Sequence, residues 1–135
     1  MTGPVHLRFA GYAGLFDVRD SDRDVIRKGA FATSLARQGR TFPLLWQHRP
    51  DQPIGQIESI AEDERGLRII ASIDRPRSRA AAMLKQRKVS GLSFGYRAKR
   101  ARWSEQGREL LEIDLFEISL VTHPLQHGAR VHLLA

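Results

Sequence analysis

The chain of 135 residues is long enough for one domain with its own hydrophobic core, and we predict a single domain over residues 1–135. It contains no cysteine, which excludes disulfides, thiolate nucleophiles and zinc-thiolate sites, so any nucleophile must be an oxygen or a nitrogen. The formal net charge of +7 favours nucleic acid or an acidic protein segment as a partner. No apolar stretch is long enough to cross a bilayer and no signal-peptide pattern opens the chain, so we expect no membrane partner.

The first part of the chain predicts a strand, a loop and a short helix. Apolar and polar residues alternate over 5–9, as in a half-buried strand. Gly11, Gly14 and the polar run 17–24 predict a turn or an exposed loop. The acidic residues of that run resemble a metal loop but lack the glycine and terminal glutamate of a calcium-binding hand. Between two glycines, residues 30–38 predict a short helix.

A histidine ends the next predicted strand, over residues 42–48. Every second residue of this strand is apolar until His48, which therefore falls on the apolar face. Pro50 and Pro53 then end the element through a tight loop. A histidine in this position is either a structural hydrogen-bonding residue or a well-seated general base.

Two strands and a basic helix follow. The strands span 54–60 and 66–73, and the alanine-rich stretch after Pro76 predicts a helix with that proline in its first turn. The surplus of basic residues concentrates in this helix and just beyond it, at Arg75, Arg77, Arg79, Lys85, Arg87, Lys88, Arg97, Lys99, Arg100 and Arg102.

The predicted strand 89–96 presents a lone hydroxyl. Its larger apolar residues share one face, while Ser93 lies between Gly91 and Gly95 on the other. The gap on either side of the hydroxyl leaves room for a second backbone. Ser93 is therefore a candidate nucleophile, or a structural serine in an edge strand that contains glycine.

After a predicted turn at 103–107, the strand 108–121 changes its parity. Ile113 and Leu115 mark an apolar face, but the pattern shifts at Phe116, so Glu117 continues that apolar face. A carboxylate there must find a donor or change its pKa. The alternative is a β-bulge that returns Glu117 to solvent.

Together, His48, Ser93 and Glu117 supply the three parts that acyl transfer by serine requires. These are an imidazole that removes the hydroxyl proton, a hydroxyl with room for a tetrahedral centre, and an acceptor that fixes the imidazole tautomer. Their order in the chain matches none of the common proteases, but such triads are defined by geometry.

The segments 44–48, 90–96 and 115–124 resemble the three signature blocks of the tailed-phage prohead protease family. Shorter similarities extend this resemblance over nearly the whole chain, at 11–13, 29–31, 53–55 and 66–67. That family is related to the herpesvirus assembly proteases. The resemblance therefore implies an α+β fold, mostly an antiparallel β-barrel with a few flanking helices.

The resemblance also implies a serine endopeptidase without cofactor or metal, in which Ser93 is the nucleophile, His48 the general base and Glu117 the third member. Herpesvirus relatives use a second histidine as third member, which makes His123 an alternative to Glu117. Ser90 is the competing nucleophile, but it lies on the apolar face of its strand, so Ser93 is preferred.

Such an enzyme cleaves scaffold or major capsid protein precursor, and itself, inside the immature capsid (prohead) in the bacterial host cytoplasm. The expected partner is therefore the capsid precursor or its scaffold segment, docked through the basic surface, with a homodimer possible and nucleic acid not expected. Family members often carry a C-terminal extension, so we expect the end at Ala135 to reflect a mature or naturally compact form, such as the gene transfer agent type.

Two other functional classes remain open. A catalytically inactive basic β-barrel module could bind scaffold or nucleic acid through aromatic stacking platforms at Trp46, Phe94, Tyr96 and Trp103. A zinc hydrolase could use His48, His123 and His127, although Pro124 makes a helical ligand pair unfavourable.

Overall fold

Strands dominate the part of the chain that the computed structural model describes, residues 7–37, 41–105 and 107–135. Within these residues the elements follow in the order β1 (Leu7–Leu15), β2 (Asp24–Ile26), α1 (Ala32–Ala36), β3 (Pro43–Trp46), β4 (Arg49–Glu62), β5 (Gly66–Ile73), α2 (Arg79–Lys85), β6 (Gly91–Ser104), β7 (Gly107–Val121) and β8 (Val131–Leu134). Neither helix has the length and apolar character needed to cross a bilayer, as judged from the described residues.

The eight strands form one curled sheet in the order β2-β7-β3-β4-β5-β1-β8, with β6 on β7. The pairs of β7 with β2 and β3 are parallel, and the other strand pairs are antiparallel. A bridge between Phe16 and Ile26 brings the end of β1 back toward β2, so the sheet curls around one core. The predicted α+β fold with a mostly antiparallel, barrel-like sheet is confirmed.

Both helices are shorter than the sequence pattern predicts. The part of α1 that is described ends within the predicted range 30–38, of which residue 38 lies outside the described residues. In α2, Ser78 is the N-cap, and its Oγ accepts a hydrogen bond from the Ala81 N–H at 3.2 Å. Pro76 therefore precedes the helix rather than occupying its first turn. The buried side chains of Ala81 and Leu84 pack this helix on the core.

The predicted turn at Gly11 and Gly14 is wrong, because both residues lie within β1. A Cβ atom on Gly11 would lie 2.3 Å from the carbonyl oxygen of Arg130. Here glycine allows the segment before β8 to cross β1 at close range, rather than making a turn.

The prolines expected to end the third strand instead belong to the next one. Pro50 and Pro53 lie in β4, where its pairing with β3 shifts register on both sides of Leu45. A proline has no N–H to donate, and this irregular part of the ladder tolerates its absence.

A charged cluster ties the start of β7 to its neighbours. Arg27 donates from Nε and Nη2 to Glu109 Oε1 at 2.9 and 2.5 Å, and Arg102 Nε donates to Oε2 at 2.6 Å. These bonds lower the pKa of Glu109 from its ordinary value of 4.5 to about 2, and the bond from Arg102 has the largest effect.

We expect Glu109→Gln to flatten the acid dependence of stability. The unfolded chain binds a proton near pH 4.5 while the folded chain holds the carboxylate charged down to about pH 2. The stabilising contribution is therefore complete above the upper value and is lost as pH falls through this window. Urea unfolding between about pH 4.5 and pH 2 should show that the free energy of unfolding falls more steeply for the wild type than for Glu109→Gln. Exposed Glu64→Gln is the control and should follow the wild type.

Candidate active site

A β-bulge in β7 decides where Glu117 points. Glu117 is opposite Gly95 on β6, whereas the next residue of β6, Tyr96, is opposite Leu115. Phe116 is the extra residue, and it is 47% exposed. The bulge resets the alternation, so Glu117 leaves the core face that Leu115 occupies and lies on the opposite face of the sheet. The bulge that the sequence leaves open is present, but it does not return Glu117 to solvent.

On that face the Glu117 carboxylate is nevertheless largely covered, with its side chain 13% exposed. His48 Nδ1 lies 2.5 Å from Glu117 Oε1. Gly95 on β6 leaves the space that the carboxylate occupies, because a Cβ atom at this position would lie 2.5 Å from the same oxygen. Only glycine at this position lets the carboxylate lie flat against the neighbouring strand and meet the imidazole.

The sequence pattern predicts His48 on a strand, and this prediction is wrong. His48 lies in the two-residue turn between β3 and β4. Trp46 pairs with Arg49 across this turn, and the φ angles of Gln47 and His48 are 52° and 59°. Positive φ at both central positions is what a type I′ hairpin turn requires. Neither residue is the glycine or asparagine that usually occupies it.

The Gln47 side chain fastens the turn to the end of β7. Its Nε2 donates to Thr122 Oγ1 at 2.6 Å, and its Oε1 accepts from the Thr122 N–H at 3.1 Å. This pair of bonds offsets part of the cost of the left-handed backbone, which is about 1–3 kcal/mol per residue.

Ser119 connects the two members of the His–Glu pair. Its Oγ–H donates to Glu117 Oε2 at 2.7 Å, and the same oxygen accepts from the His48 backbone N–H at 3.1 Å. Ser119 is fully buried. Sequence reasoning missed this residue, although its position two residues after the acid on the same strand face was an available signal.

Ser93 lies directly opposite Ser119 in the antiparallel pair of β6 and β7. Directly paired residues share a face and have Cα atoms about 4.5–5.5 Å apart. Ser93 is 5% exposed, and its neighbour Leu92 points into the core as predicted. Among the described residues, no hydrogen bond joins the Ser93 hydroxyl to His48. The structure thus joins His48 to Glu117 and places Ser93 on the strand next to that of Glu117, with His48 on the other side of β7.

The alternative site residues lie apart from this arrangement. Ser90, the competing nucleophile, accepts a hydrogen bond at its Oγ from Arg130 Nη1 at 3.3 Å. His123, the alternative third member, is exposed, and it is Glu117 that contacts His48. His127 Nδ1 lies 3.4 Å from Arg130 Nη2. Within residues 7–37, 41–105 and 107–135, no three His, Asp or Glu side chains are grouped closely enough to hold a metal ion.

The aromatic residues of the binding-module alternative do not form an exposed platform. Trp103 is 77% exposed, whereas Trp46, Phe94 and Tyr96 are partly buried against the core. The rings of Phe94 and Tyr96 pack together with centroids 5.1 Å apart. Three of the four rings therefore pack against the core and are not available to stack on nucleic-acid bases.

We expect Gly95→Ala to push the Glu117 carboxylate away from His48. The added Cβ overlaps Oε1, and overpacking of this kind costs about 1–3 kcal/mol. The downfield resonance of the imidazole N–H bonded to Glu117 should be lost in the proton NMR spectrum.

A double-mutant cycle tests the cause of that effect. In a Glu117→Ala background the same Gly95→Ala change should cost little in urea unfolding, because the overlapping carboxylate is gone. Equal costs in both backgrounds would show that Gly95 serves the strand pairing and not the carboxylate.

The curled sheet with its flanking helices has the same fold as solved viral proteases. Varicella-zoster virus protease aligns with a TM-score of 0.63 at 17% identity, covering 94% of this chain and 63% of that one. The bacteriophage T4 capsid assembly protease gp21 aligns with a TM-score of 0.67 at 14% identity, covering 87% and 82%. At these identities the likeness shows the fold.

The chain belongs to the caudovirus prohead serine protease family, whose family model matches residues 3–135. It is 35% identical over 130 residues to the prohead protease of Enterobacteria phage HK97, covering 91% of this chain and 58% of that protein. It is 29% identical over 101 residues to the capsid polyprotein of Pseudomonas phage PAJU2, covering 67% and 15%. The chain thus spans little more than half of the first relative's length. The family predicted from the three sequence blocks is confirmed.

Proposed function

We propose that this chain is a serine endopeptidase of head maturation. It would cut a capsid protein precursor or its scaffold segment, and itself, inside the prohead. The observation that carries the proposal is the His48–Glu117 contact, 2.5 Å long, held by Ser119 directly across the strand pair from Ser93. Membership of the prohead serine protease family and similarity to the HK97 prohead protease support it.

In the proposed reaction, Ser93 Oγ attacks the scissile carbonyl carbon while His48 Nε2 takes the hydroxyl proton. The imidazole starts with its proton on Nδ1, donated to Glu117, which leaves Nε2 as the acceptor. The imidazolium then gives its Nε2 proton to the leaving amine as the C–N bond breaks. Water, activated by the same nitrogen, hydrolyses the acyl-enzyme and restores the Ser93 hydroxyl.

Glu117 and Ser119 act through the imidazole in this scheme. The carboxylate, whose side chain is 13% exposed, fixes the tautomer and stabilises the imidazolium. Ser119 bonds to the second carboxylate oxygen of Glu117 and to the backbone N–H of His48. Both residues are therefore held while the imidazole Nε2 stays free for the reaction. It is a positioning residue.

We expect Ser93→Ala to abolish cleavage of the co-expressed capsid precursor and labelling by a fluorophosphonate probe. The protein should fold normally, because a small hydroxyl beside two glycines contributes little to packing. His48→Ala and Glu117→Gln should each reduce the rate by roughly 10⁴-fold, since such residues act as a unit. Mass spectrometry of the mature capsid N-terminus and of the labelled peptide measures both effects.

Ser90→Ala is the matched control, because Ser90 lies three residues earlier and its hydroxyl contacts Arg130 instead. It should retain labelling and cleavage. Labelling that survives in Ser93→Ala and disappears in Ser90→Ala would reassign the nucleophile. A wild-type protein that neither reacts with the probe nor cuts would favour the inactive module.

The excess of positive charge suits docking to acidic segments of the precursor. We expect kcat/KM for the capsid precursor to fall steeply as sodium chloride rises from about 0.05 to 0.5 M, because screening shortens the reach of the surface charges. A short uncharged peptide substrate should show a much weaker dependence. Parallel salt profiles for both substrates would contradict electrostatic docking.

A further inference from the structure

An open cavity of about 590 Å³ lies beside His48, between the β3–β4 turn and the start of α2. It begins one residue on either side of His48, because Gln47 and Arg49 both line it. Gln52 and Arg79 contribute further polar atoms from β4 and α2. This position suggests a place for a substrate side chain close to the reacting bond.

The two arginines of this cavity have no carboxylate partner among the described residues. Other arginines of the chain do have one: Arg27 and Arg102 bond to Glu109, and Arg108 bonds to Asp24. A guanidinium offers a fork of donors that matches a carboxylate, and two of them in one cavity attract an anion.

The surroundings of the cavity strengthen this preference. A shallow hollow next to it, sharing Ser78, is lined by Arg75 and Arg77 with Asp74 as its one acidic residue. The cavity itself contains no acidic side chain among its lining residues. The electrostatic potential at the cavity therefore attracts a negative charge more strongly than an even spread of the net charge over the surface would.

Apart from Ser78, the rest of the cavity wall is apolar. Trp46, Ile54 and Met83 are partly buried against the core and present carbon atoms to the cavity. Such a wall suits the methylene stem of a glutamate whose carboxylate meets the arginines.

The cavity is within reach of a peptide cut at Ser93. Ser93, Ser119 and Leu45 lie in one row across β6, β7 and β3. Neighbouring strands are about 4.8 Å apart, so Leu45 lies about 10 Å from Ser93, and the lining of the cavity starts at the next residue, Trp46. An extended peptide advances about 3.3 Å per residue, which places the cavity about three residues from the scissile bond.

We infer that the cavity between the β3–β4 turn and α2 binds an acidic side chain of the substrate, within about three residues of the cleaved bond, through Arg49 and Arg79. This inference rests on the proposed protease function and names a substrate class for it.

Cleavage profiling tests the inference. The wild-type protein is incubated with a peptide library prepared from a bacterial proteome, and the cut sites are read by mass spectrometry. Glu and Asp should be enriched at a fixed position within three residues of the cut. A synthetic peptide with Glu at that position should have a kcat/KM about 10-fold above its Gln counterpart, as expected for a hydrogen-bonded charge.

Arg49→Gln/Arg79→Gln should bring the Glu-to-Gln ratio close to one, and Arg49→Glu/Arg79→Glu should shift the preference to Lys or Arg. Lys99→Gln/Arg100→Gln is the matched control, because it removes two exposed positive charges from β6 about 20 Å along the strand from Ser93. It should keep the wild-type ratio. Fluorophosphonate labelling of Ser93 in every variant shows that the reacting groups remain in place.

Binding without cleavage separates the two ideas. In Ser93→Ala/Trp103→Phe, Trp46 is the one tryptophan left of two, and it lines the cavity. Hexaglutamate should change its fluorescence, hexaglutamine should not, and the Arg49→Gln/Arg79→Gln change should remove the response. Labelling and cleavage without acidic enrichment would overturn the inference alone. A wild-type protein without labelling or cleavage would overturn the protease function, and the inference with it.

Discussion

The single extra residue at Phe116 is the constraint on which the site depends. It lets one strand serve two purposes, because β7 presents Ile113 and Leu115 to the core before the bulge and Ile118 to the core after it. Without the bulge, Glu117 would continue the face of Leu115 and bury a carboxylate among apolar side chains. Burying an unpaired charge costs far more free energy than one disturbed ladder position. The bulge is therefore the less costly way to carry an acid on a strand that also builds the core.

The central position of β7 explains how groups far apart in the chain meet. It pairs in parallel with β3 and in antiparallel fashion with β6, so its outer face joins residues from both neighbours. Ser119 stands in the middle of this row, with Ser93 on one side and the turn that carries His48 on the other. The sheet register thus fixes the order Ser93, Ser119 and His48, and side-chain hydrogen bonds adjust the final orientation.

Sequence reasoning selected His48 and Glu117 because each continues an apolar face of its predicted strand, and Ser93 because it is a lone hydroxyl between two glycines. It also gave the strand-dominated fold, but not the conformation around His48. A left-handed pair without glycine or asparagine carries no local signal, since Gln47 is compensated by a bond to Thr122, 75 residues away. The alternation could place Ser119 on the same face as Glu117, but it could not show the bond between Ser119 and the His48 backbone N–H. The partners of Ser119 are defined by strand pairing and by a bulge whose presence the alternation leaves open.

The turn between β3 and β4 also connects chemistry with substrate choice in the proposed enzyme. Three consecutive residues have different tasks: Gln47 anchors the turn, His48 faces Glu117, and Arg49 lines the cavity. Because two of them have strained backbone angles, the turn keeps its shape only while tertiary contacts hold it. A carboxylate bound by Arg49 would add such a contact at the residue next to the base. An acidic substrate would then stabilise the same backbone that positions the imidazole, so that recognition and orientation of the base draw on one interaction.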